Sequence, residues 1–126
     1  MNRGARIAAL TRDSLVGCLL GFLCAATSAA EVTYDLRVER GHVPAGMRLI
    51  RVKQGDTVRL RWSSDLTMIL HLHGYDLERK VEPGAATEMR FTARATGRFP
   101  VSVHKPKQGG GHTHDPPLIH VEVYPR

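Results

Sequence analysis

From Glu31 onward, apolar residues recur at every second position. In "EVTYDLRVER" they are Val32, Tyr34, Leu36 and Val38, and in "DTVRLRW" they are Val58, Leu60 and Trp62. Later segments repeat the pattern with Met89 and Phe91, then Phe99, Val101 and Val103, then Ile119, Val121 and Val123. A period of two is that of a half-buried strand, whose side chains alternate between a core face and a wet face. No stretch after Ala30 carries apolar residues at the 3.6-residue spacing of an amphipathic helix. Turn residues separate the segments, at "GHVPAG", Gly55-Asp56, "SSDLT" and Pro83-Gly84. Strands are expected at Arg48–Val52 and Thr57–Trp62, joined as a hairpin through Gly55-Asp56, and again from Met68 to His73. Short strands at such spacing predict an all-β chain of about seven or eight strands, closed as a sandwich or barrel.

Residues 1–30 follow another rule. Arg3, Arg6 and Arg12 precede the apolar run "LVGCLLGFLCAA", and small residues close it in "TSAAE". That order is a secretory signal peptide, with Ser28 and Ala30 at the small positions before a cut after Ala30. The run falls short of the roughly 20 residues of a membrane span. Leu23 is too large a residue before Cys24 for a lipid-attachment site. The mature domain is then 31–126, without a membrane span, and its expected place is the periplasm, with the extracellular space as the alternative. Cys18 and Cys24 both leave with the leader, so the domain has no disulfide, thiolate nucleophile or thiolate ligand.

Without the leader the chain keeps 15 basic and 11 acidic residues, a balance of +4 with the signs interspersed. That is a solvated surface, with few aromatics to stack bases, so nucleic acid is not an expected partner. No nucleophile elbow or phosphate loop is present, and no enzymatic activity is expected. All seven histidines lie after residue 30.

The order "IRVKQGDTVRLRW", a polar break, a histidine-bearing strand, "TGRFPVSVH" and a terminal "HVEVYP" resembles a bacterial cupredoxin over nearly all of 31–126. The segment "HLHGYDL" is similar to the His-x-His-Gly-Tyr-Asp segment of exported cupredoxin-like domains of the EfeO type. The resemblance implies a Greek-key β-sandwich in which the histidine strand, the Arg98–His104 strand and the last strand are neighbours, with Arg98–His104 in the middle. It also exposes a departure. A blue-copper site needs two histidines, a cysteine thiolate and usually a weak axial methionine. Val103 stands where the cysteine is expected, and Met68 about where the first histidine is expected. A blue-copper electron carrier is excluded by the residues themselves.

Alternation then assigns sides. With Met68, Leu70 and Leu72 inward, His71 and His73 face out; likewise Ser102 and His104, and likewise Leu118, His120 and Glu122. Neighbouring strands lie about 4.8 Å apart and i,i+2 residues about 6.7 Å apart. Those gaps suit imidazoles converging on an ion at about 2.0–2.1 Å per bond. The expected ligands are His71, His73, His104 and His120, with His112 and His114 of "KPKQGGGHTHDPP" closing from above and a carboxylate from Asp115. Imidazole donors favour copper, with zinc the alternative. His42 reads as a turn residue, and Met68 and Met89 as core. Two functions fit. One is a periplasmic protein that binds copper for storage, delivery or buffering, partnered by a metal-handling protein. The other is a metal-free cupredoxin-like accessory module beside a metal-uptake system.

Overall fold

Each alternating segment becomes a strand because its apolar set can be buried only against a second sheet. The computed structural model describes residues 28–104 and 115–126, together with Ala26. Most of the leader assigned to Met1–Ala30 lies outside the described residues, as do His112 and His114. The strands are β1 (Glu31–Val38), β2 (Leu49–Lys53), β3 (Thr57–Ser64), β4 (Met68–Leu72), β5 (Leu77–Val81), β6 (Thr87–Thr92), β7 (Gly97–His104) and β8 (Ile119–Tyr124). A single 3-10 turn at Ala45–Met47 is the only helical element among the described residues, and no helix there is long and apolar enough to cross a membrane.

One sheet has the order β1-β3-β6 and the other β2-β8-β7-β4-β5. The pairs β1–β3 and β2–β8 are parallel, and the remaining pairs are antiparallel. Leu36, Val38, Val58, Leu60, Trp62, Met89 and Phe91 of the first sheet face Ile50, Leu70, Leu72, Val101, Ile119 and Val121 of the second, all buried. Each such side chain contributes roughly 1.5–3 kcal/mol relative to exposure, which makes this interface the main source of stability.

Two expectations need correction. Gly55-Asp56 does not close a hairpin, because β2 pairs with β8 and β3 pairs with β1 and β6. The turn is a corner between sheets. Gly55 adopts a φ of 92° there, and Asp56 holds the corner by accepting the Lys53 amide at 3.0 Å. The same carboxylate accepts the Ala30 amide at 3.2 Å and pairs with the Arg126 guanidinium. The second correction is Leu118, expected outward but 7% exposed. It precedes β8, and its amide bonds to the Val101 carbonyl at 2.8 Å, so its side chain does not follow the strand's alternation.

Glu39–His42 is a tight turn whose end residues exchange both backbone hydrogen bonds, at 2.8 and 3.0 Å. Arg40 and Gly41 sit at its centre with φ of 52° and 78°, the left-handed pair of a type I′ turn. His42 is therefore a turn residue, as its place before Val43-Pro44 suggests.

Candidate metal centre

β4 supplies the centre of the site. Its residues alternate as the sequence predicts, with Met68, Leu70 and Leu72 buried and Ile69 and His71 on the outer face. Its neighbours are β5 on one side and β7 on the other. Register then decides what stands beside His71: Glu78 of β5 and Ser102 of β7. One row away, Ile69 lies between Lys80 and His104.

The strand stops at Leu72 for a chemical reason. The His73 amide donates to the Pro100 carbonyl at 3.0 Å, but Pro100 has no N–H with which to return the bond. The ladder ends there, and the chain turns through Gly74, Tyr75 and Asp76. Gly74 has a φ of 89°, and a Cβ at this position would lie 2.5 Å from Cδ1 of Phe99. Asp76 also has a positive φ, 52°. The Tyr75 ring packs on Phe91 and Phe99, with centroids 4.8 and 5.0 Å away. Its hydroxyl donates to the Ala95 carbonyl at 3.3 Å and anchors the turn.

On this frame three side chains converge. One ligand atom each of His71, Glu78 and His104 lies within 4.8 Å of the others. Nδ1 of His104 is 3.6 Å from a Glu78 oxygen, and Nε2 of His71 is 3.5 Å from an Asp76 oxygen. The His73 ring joins them, its centroid 4.3 Å from that of His71. The His104 ring centroid is 6.4 Å from that of His71. Partial desolvation, and then the charges of His71 and His104, hold the His73 pKa below the usual histidine value. A ring that resists protonation in this way is ready to offer a lone pair.

Two donors on opposite sides of one ion are at most about 4.2 Å apart. The three ligand atoms lie close to that range, and Glu78 and His104 are both about half exposed and free to rotate. Two imidazoles and a carboxylate are borderline-to-hard donors that suit Cu(II) or Zn(II). Among the described residues no sulfur donor joins the group: Met68 points into the core at 8% exposure, and Val103 is a partly buried apolar neighbour of that core.

The structure thus brings together His71, His73 and His104 of the expected residues. It sets His120 apart. His120 pairs with Pro100 across β7–β8, so Pro100 stands between it and His73, and two strand spacings of about 4.8 Å separate them. Burial, and then the nearby Arg98 guanidinium, lower the His120 pKa, while Glu122 acts in the opposite direction. The carboxylate beside the imidazoles is Glu78. Sequence reasoning missed Glu78, although a four-residue turn at His73–Asp76 already implies the pairs 72–77 and 71–78.

No protein-family model and no curated protein matches the chain. Solved structures do. A multi-copper oxidase from Pseudomonas thermotolerans aligns with 79% of this chain at 22% identity and a TM-score of 0.58, and the chain spans 31% of that protein. The periplasmic domain of subunit II of cytochrome oxidase from Bradyrhizobium japonicum aligns with 75% of this chain and 84% of its own, at 17% identity and a TM-score of 0.55. An apo copper binding protein solved by NMR aligns with 72% of this chain and 87% of its own, at 14% identity and a TM-score of 0.53. At these identities the likeness is one of architecture, and the architecture is the cupredoxin-like β-sandwich.

Proposed function

We propose that the chain is an exported, periplasmic cupredoxin-like protein that binds copper as Cu(II) through His71, Glu78 and His104, with His73 beside them. Its role is storage, delivery or buffering of the ion, and it is neither a type 1 electron carrier nor an enzyme. The observation that carries this reading is the approach of three ligand atoms, from three adjacent strands, to within 4.8 Å of one another. The fold shared with a copper binding protein and with a periplasmic oxidase domain supports it. So does the similarity of "HLHGYDL" to exported domains of the EfeO type. The leader at Met1–Ala30, cut to leave the domain 31–126, belongs to the same reading. Zinc fits the same donors, and copper is preferred because affinity for nitrogen and oxygen donors peaks at Cu(II) in the divalent series.

The test is a Cu(II) titration of the purified domain. One tightly held ion per chain is expected, with the paramagnetic resonance of nitrogen-coordinated type 2 copper and little absorbance near 600 nm. The double variant His71→Ala, His104→Ala should lose that ion. Unchanged stoichiometry and spectrum in the double variant would place the copper elsewhere. No tight binding by the wild type would leave the metal-free accessory module as the better reading.

A further inference from the structure

The face that holds these donors restricts how they can surround an ion. His71, Glu78 and His104 rise from β4, β5 and β7, which are adjacent strands of one sheet. Leu70 and Leu72, on the opposite side of β4, are fully buried in the core. Nothing can reach the ion from beneath, and all three donors approach it from the sheet. His73, whose ring lies against that of His71, can add a donor only from the same side. Among the described residues the outer hemisphere is open: the side chains of His104 and Glu78 are 54% and 51% exposed.

We infer that the bound ion keeps at least one coordination position for a ligand from outside the chain, and that this ligand is a small anionic oxygen or nitrogen donor. The inference rests on the copper-site reading above and adds to it. A divalent ion with one carboxylate and neutral imidazoles retains a net charge of +1. An anion entering the open position neutralises it, whereas a neutral donor does not. Three protein ligands with a position left for water or an incoming group is the arrangement that separates exchanging metal sites from closed structural ones. Binding here replaces a coordinated water, with no change in the oxidation state of the ion. For a protein that passes copper onward, the open position is where a receiving carboxylate or deprotonated nitrogen would first engage the ion.

The probe is azide, added to the full domain loaded with one equivalent of Cu(II), with absorption and paramagnetic resonance followed together. Ultrafiltration at each point shows whether copper stays with the protein. The expected result is a saturable azide-to-copper charge-transfer band and a shifted copper hyperfine splitting, with the copper retained. Glu78→Gln removes one negative charge from an exposed strand position, so azide should bind several-fold more tightly to whatever copper that variant retains. If copper is held in a His71- and His104-dependent way but azide leaves both spectra unchanged, the coordination sphere is closed and this inference alone falls. Copper appearing in the filtrate as the azide complex would overturn it too, since the anion would then be stripping the ion. If the wild type holds no copper, both readings fall together.

Discussion

Glu78 separates a metal site from a pair of surface histidines. Its carboxylate oxygen lies close to ligand nitrogens on both β4 and β7, and it is exposed enough to be changed without disturbing the core. Glu78→Gln keeps the shape and removes the charge. The expected outcome is a loss of at least about tenfold in Cu(II) affinity, the lower end of what even partners outside the first coordination sphere cost. Unfolding free energy should move by no more than about 0.5 kcal/mol, as for most surface changes. Isothermal titration alongside urea unfolding separates the two effects, and an equal loss in both would mean that Glu78 is structural. The histidines themselves were legible in the sequence, because an alternating apolar strand declares which side each residue takes. Glu78 and His120 were not. Whether a residue stands beside the cluster depends on cross-strand register, and the two strands that flank β4 are fixed by pairing rather than by local composition.

Elements show the same division. Strand existence was readable throughout 31–126, since a period of two needs only local sequence. Strand partners were legible only through the family resemblance, which put β7 between β4 and β8 as found; local sequence misplaced β2 and β3, which follow one another through a glycine turn yet lie in different sheets. The corner is held by the buried Asp56, which pairs with Arg126, 70 residues away. The β4–β5 connection is the true hairpin of this region, and its geometry depends on Gly74. A methyl group there would meet the Phe99 ring on a backbone with a φ of 89°. Gly74→Ala should therefore destabilise the domain by about 2–4 kcal/mol. The turn carries His73 and Asp76 beside His71, so Cu(II) affinity should fall as well, under conditions where the variant is still folded. Glycine at 84, also at positive φ but with open space around its would-be side chain, is the control. Gly84→Ala should cost about 1–2 kcal/mol for the backbone strain alone and leave copper binding intact. Equal stability losses at the two positions would show that the Phe99 contact is unimportant.

At the scale of the molecule, Asp56 reinforces a corner where β2 and β3 meet the end of the chain. In the full chain it receives the amides of Lys53 and Ala30 and the guanidinium of Arg126; after a cut following Ala30 the bonds to Lys53 and Arg126 remain, and they tie the corner between the sheets to the end of the chain. Burial alone would raise its pKa. The two amide bonds and the arginine outweigh that effect and leave it below the ordinary value of 3.8. The consequence for stability has a definite sign. Because the folded-state pKa is the lower one, the unfolded chain takes up the proton first as pH falls. Asp56 therefore contributes its full stabilisation above about pH 5. That contribution declines as pH drops through 3.8 and is gone once the folded-state pKa has been passed. Asp56→Asn should cost about 1–3 kcal/mol at pH 7, since its amide can still accept a backbone hydrogen bond but cannot pair with Arg126. The gap between wild type and variant should then narrow as the solution is acidified below pH 3.8. Urea unfolding of both proteins at pH 7 and at pH 3 measures it. A gap that persists undiminished at the lower pH would mean that shape at the corner, rather than the carboxylate's charge, holds the end of the chain there.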